Sequence, residues 1–161
     1  MLGSGELDTA IAIRGPADVR DIGARLGVRV VYVTQDGYDT HARQAQLHAA
    51  RLDELARSLA AFQRDLTALG TRERVLTFVF SEFGRRVEEN ASRGTDHGAA
   101  APVFLAGGPV RGGLKGTPPD LEHLSEGDVV FTTDFRALYT ALERDWMGLE
   151  PSTSVPAFEL G

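Results

Sequence analysis

The sequence predicts an α/β fold: a mostly parallel sheet with one antiparallel strand, flanked by helices. Three observations predict it. Two short apolar runs rich in β-branched residues, VRVVYVT (28–34) and VLTFVFS (75–81), have the composition of strands buried on both faces. Between them lies a long segment of helical periodicity, so strand, helix and strand read as a right-handed βαβ unit. The chain has 161 residues, 42% hydrophobic and 25% charged, which suits one domain (1–161) with a core that needs no staples.

Taken in order, residues 1–15 read as loosely ordered. Pro16 to Leu26 is a short helix candidate, with Pro16 in the first turn, Val19, Ile22 and Leu26 at helical spacing, and Gly27 to end it. The first strand, 28–34, follows. The long helix is expected over about His41 to Leu69, because Leu52, Leu55, Leu59, Phe62, Leu66 and Leu69 alternate spacings of three and four while Arg51, Glu54, Arg57 and Arg64 fall off that stripe. Gly70 is a natural C-cap. The stripe fits a helix packed on a sheet better than a coiled-coil interface, since it runs for fewer than three heptads.

After the second strand, residues 84–101 are polar and glycine-rich with no helical stripe. PVFLA (102–106) reads as a third strand. Without a crossover helix before it, it is expected to run antiparallel to the second. A Gly/Pro-rich excursion occupies 107–127. Asp128 to Thr132 is a short fourth strand candidate. Asp134 to Met147 is a closing helix with Phe135, Leu138, Leu142 and Trp146 on one face and Asp134 as its simplest N-cap. The tail 150–161 reads as a loop or a docked extension.

The formal net charge of -6 argues against sequence-independent binding of nucleic acid, which needs a basic face. The apolar runs are too short to span a bilayer, so no membrane partner is expected. With no cysteine, thiolate metal sites and cysteine nucleophiles are excluded, and any metal must be held by oxygen and imidazole. MLGSGELDTA has no apolar core behind a basic start, so the chain as written reads as cytoplasmic.

Open α/β sheets bind ligands beyond the carboxyl ends of their strands. The ionisable residues collect there: Asp39 and His41 in QDGYDTH after the first strand, Glu82 after the second, and Asp96 and His97 in GTDHG before an antiparallel third. Two imidazoles with several carboxylates suit a divalent Zn, Mn, Fe or Mg better than Ca, which prefers oxygen alone. Such a metal would hold a small anionic ester and activate a nucleophile. Each residue also has a plainer role. Asp39 or Thr40 could cap the long helix, Glu82 could pair with Arg85 or Arg86, and Asp96 could make an Asx-turn. No Walker A loop, dinucleotide fingerprint or G-x-S-x-G elbow is present.

QDGYDTHARQ, FSEFGRRVEENASRGTDHGAAAPVFLAGG and GDVVFTTDFRALYTALERDWMG closely resemble a bacterial family of unknown function, the one numbered 1501. That family is placed with the alkaline phosphatase and sulfatase superfamily. The resemblance implies an alkaline phosphatase-like fold and a metal-dependent hydrolase of phosphate or sulfate esters. It implies that Asp39 and His41 form one Asp-and-His metal motif, that Glu82 of SEFG takes a ligand position, and that His97 of TDHG is a ligand. Asp96 would bind or orient, and Arg85 would contact the anionic substrate. Phe83 stands where the superfamily motif has His. The resemblance further implies that a longer N-terminal part, bearing the nucleophile, precedes the GYDTH motif, so the chain reads as a C-terminal portion. A longer form could be exported. A non-catalytic metal-binding or scaffold remnant is the alternative, and the oligomeric state is left open.

Overall fold

The structure, a computed structural model, describes residues 11–12, 29–108 and 110–160. The helix expected over 16–26 lies outside them. In chain order the elements are β1 (Ile11–Ala12), β2 (Val31–Tyr32), α1 (Gln44–Ala68), a 3-10 turn (Arg72–Arg74), β3 (Leu76–Val79), β4 (Gly84–Glu89), β5 (Thr95–Gly98), β6 (Phe104–Gly107), α2 (Phe135–Ala141) and a π-helical turn (Leu142–Trp146).

The mostly parallel sheet does not form. The described strands make three separate two-stranded pairings. The parallel one, β1 with β2, matches only two residues on each strand. The longer ones, β3 with β6 and β4 with β5, are antiparallel. An alkaline phosphatase-like parallel architecture therefore does not fit these residues. The physical reason lies in the partners. A βαβ unit needs β3 hydrogen-bonded to β2, but among the described residues β2 pairs with β1 alone and β3 with β6 alone, with Leu76 opposite Gly107 and Val79 opposite Phe104. The antiparallel sense expected for the third strand is the one seen.

Helix α1 has the stripe that its periodicity predicts, shifted toward its start. Gln44 and Leu66 are buried and His48, Leu55, Leu59 and Phe62 are half-buried, whereas Leu52 and Leu69 at the margins are exposed. Its end is a Schellman motif: Gly70 N–H donates to Thr67 O and Thr71 N–H to Leu66 O, with Gly70 at φ +66° where a side chain would be strained. Gln63 Nε2 donates to Thr77 Oγ1 and ties the end of the helix to β3.

The fourth strand candidate is absent. Asp128 makes only an isolated bridge with Ser125. The closing helix starts where its cap predicts, with Asp134 accepting from Arg136 N–H. It widens after Ala141, where Met147 N–H reaches back to Leu142 O. The tail docks on it through Phe158 N–H to Ala137 O and Thr140 Oγ1 to Val155 O.

Among the described residues the buried hydrophobic side chains are Leu66, Leu138 and Ala141, with Thr140 buried beside the last two. Aromatic contacts link the elements around them: Tyr32 meets Phe80, Phe80 stacks on Phe78, and Phe78 meets Tyr139 of α2 edge-on. No helix among the described residues is long and apolar enough to cross a membrane.

Candidate metal centre

The polar, glycine-rich segment 84–101, which shows no helical stripe, forms a β-hairpin over Gly84–Gly98. Its strands GRRVEE and TDHG lack alternating apolar residues, so nothing local marks them as paired. The turn is built by Asn90. Its Oδ1 accepts from Ser92 N–H and Gly94 N–H, its N–H donates to Gly94 O, and Arg93 takes the left-handed conformation at φ +60°.

The hairpin tip docks on the start of α1. Arg43 N–H and Gln44 N–H, which have no partner inside the helix, donate to Ser92 O and Arg93 O. No side chain caps α1, so Asp39 and Thr40 are free of that role. Buried Gln44 fastens the joint from the other side: its Oε1 accepts from both Thr95 N–H and Thr95 Oγ1. Asn90 Nδ2 donates to His41 O. Arg85 spans the same joint, one guanidinium nitrogen on Thr95 O and the other on Tyr38 O, both at 2.6 Å.

These ties bring the GYDTH and TDHG segments together. His41 Nε2 and His97 Nε2 converge on Asp39 Oδ1, at 3.0 and 2.9 Å. Ligand atoms of Asp39, His41 and His97 all lie within 4.8 Å of one another. The hydrogen bond from His97, joined by that from His41, holds the Asp39 carboxyl below the usual carboxylate range. Behind the His41 ring, Nδ1 lies 3.4 Å from Asp96 Oδ1, an arrangement that orients an imidazole whose other nitrogen binds a metal. Asn90 Nδ2 stands 3.5 Å from the same Asp96 oxygen. All three donors are open to solvent.

The donor set fits a transition metal. Nitrogen and oxygen ligands sit about 2.0–2.1 Å from zinc, so neighbouring ligands in a tetrahedron stand roughly 3.3 Å apart. The separations from Asp39 are a few tenths of an ångström shorter. Two imidazoles and one carboxylate favour Zn, Mn or Fe over Mg, which keeps oxygen and water around it.

Of the residues the sequence nominates, Asp39, His41 and His97 come together and Asp96 stands behind His41. Glu82 is exposed and lies outside the group. Arg85 has its guanidinium committed to backbone carbonyls. His48 is half-buried with its Nδ1 shielded and its ring edge-on to Tyr38. His123 bonds Asp120, its neighbour in the excursion. Sequence reasoning missed Gln44, Asn90 and Gly94, which hold the joint. One signal for them was present: in NASRG, an Asn and a Gly bracket a short polar run, the mark of a turn.

Comparison with known proteins supports a single assignment. Residues 22–151 match the family described as protein of unknown function (DUF1501). No curated protein and no solved structure matches the chain. With most of its length matched, the chain belongs to the DUF1501 family.

Proposed function

We propose that this chain binds one divalent transition metal through Asp39, His41 and His97 and serves the hydrolysis of small anionic esters, of phosphate or sulfate. The observation that carries the reading is the convergence of two imidazole nitrogens and one carboxylate oxygen from distant parts of the chain. Three protein donors leave coordination positions for water and substrate, the mark of a catalytic rather than a structural site. The bound metal supplies Lewis-acid polarisation of an ester oxygen and a lowered pKa for water. Asp96 orients His41. Arg85 holds the two ligand-bearing segments in register and lends positive charge near an incoming anion. The motif resemblance to alkaline phosphatases and sulfatases supports the choice of ester.

A second reading, a metal-binding module without catalysis, is favoured by the openness of the site. The Asp39, His41 and His97 side chains are 67%, 49% and 42% exposed. Electrostatic catalysis gains most where water is excluded. Titration with Zn and Mn, followed by assay on p-nitrophenyl phosphate and sulfate, separates the two. Binding that is lost in His97→Ala and Asp39→Asn supports the shared metal site, and hydrolysis supports the first reading. A wild-type chain that takes up neither metal sinks both.

A further inference from the structure

The two histidines of the site are held differently. His41 has Asp96 behind its ring. His97 has no such group: among the described residues its Nδ1 has no hydrogen-bond partner, and Nε2 meets only Asp39. What lies against the His97 ring is Phe83. The two rings are parallel within 6° at a centroid distance of 3.8 Å, while His41 stacks with His97 less closely, at 4.9 Å and 27°.

A flat ring at that distance blocks rotation of the imidazole. Turning His97 about its Cβ–Cγ bond would drive the ring edge into the face of Phe83. Phe83 is itself fixed. The Ser81 hydroxyl accepts from Phe83 N–H and donates to Phe83 O. The next residue, Gly84, is buried so close to Ala100 that a Cβ would stand 1.8 Å from the Ala100 carbonyl oxygen. The Arg85 guanidinium carbon lies 5.0 Å from the Phe83 ring centre, and Arg85 is anchored by its two carbonyl contacts.

We propose that Phe83 is a positioning residue of the metal centre: its ring face sets the plane of the His97 imidazole and aims Nε2 at Asp39 and His41. It takes over, by stacking, the orienting work that a hydrogen-bonding neighbour performs for most metal-bound histidines. This inference rests on the metal-binding reading above.

The test uses the full chain, calorimetric titration with Zn alone, and NMR of the imidazole protons before metal is added. Phe83→Leu keeps an apolar side chain but removes the flat face. It is expected to weaken Zn binding about 10–100-fold, the range for losing a group that orients a ligand. Phe83→Tyr keeps the face and is expected to restore wild-type affinity, which a role in bulk packing alone would not require. Ring-current shielding is expected to move the His97 ring protons upfield in the wild type and in Phe83→Tyr, and to fall in Phe83→Leu to the smaller shift that the more distant His41 ring alone produces. If the leucine variant does not fold, Phe83→Met replaces it. Unshielded His97 protons in the folded wild type overturn the proposal without any variant. Equal Zn affinity in the wild type and Phe83→Leu overturns it while leaving the metal site standing. A wild-type chain that binds no Zn removes the metal reading and this proposal together.

Discussion

Gly94 presses against the backbone of His41 so closely that a Cβ on residue 94 would stand 2.4 Å from both the carbonyl carbon and oxygen of His41. This contact is the point where the β4–β5 hairpin meets the segment that leads into α1. A rigid backbone lies on both sides, so neither can yield as a flexible side chain would. Gly94→Ala is expected to destabilise the chain by about 3 kcal/mol, the upper end for overpacking, and to abolish Zn binding. Urea unfolding and Zn titration of the same sample check this. A variant with wild-type stability and affinity would show that the two segments are not joined here.

Arg85 bonds two carbonyls that belong to segments far apart in sequence. Lysine keeps the charge but presents one ammonium in place of the planar fork. Arg85→Lys is therefore expected to cost about 2 kcal/mol, in the range for hydrogen bonds to charged groups. If stability is unchanged and only turnover of the ester falls, Arg85 acts on the substrate rather than on the fold.

Leu66 is 1% exposed and lies near the far end of α1. Leu66→Ala is expected to destabilise by about 2–5 kcal/mol, through lost transfer energy and the cavity left behind. Gln44, beside the site, is roughly 33 Å away along the helix axis, so the folded variant should bind Zn as the wild type does. A shifted urea midpoint with unchanged affinity is the expected result.

Asp134 caps α2 and its carboxyl is held below the usual carboxylate range, first by the Arg136 side chain and then by the Arg136 backbone N–H. Because the folded-state pKa is depressed, its contribution is fully present above the unfolded pKa. It is lost as pH falls through the lower folded value. Asparagine keeps the cap but not the charge. The stability difference between wild type and Asp134→Asn should thus be present at pH 6, begin to shrink near pH 4 and disappear at still lower pH, with thermal unfolding as the readout. A difference that does not change with pH would show that the Asp134 charge is not its source.

Local physics was legible in the sequence, and it was enough for several elements. The leucine stripe and Gly70 place α1 and its end. Asp134 places the start of α2, and apolar runs place β3 and β6. Each of these depends on neighbours within a few residues, through periodicity, capping or turn conformation. The nomination of Asp39, His41 and His97 also came from the sequence, from the clustering of imidazole and carboxylate in short motifs.

Tertiary structure decided how those residues meet. They do not line the edge of a parallel sheet. They meet because a polar hairpin docks its turn on the N-terminus of α1, where unpaired helix N–H groups need carbonyls and the turn at Ser92 and Arg93 offers them. No period in the sequence announces that contact, since its strands bury no apolar face and its bonds join residues about fifty positions apart. The same long-range pairing left Glu82 outside the group and set Phe83 against His97.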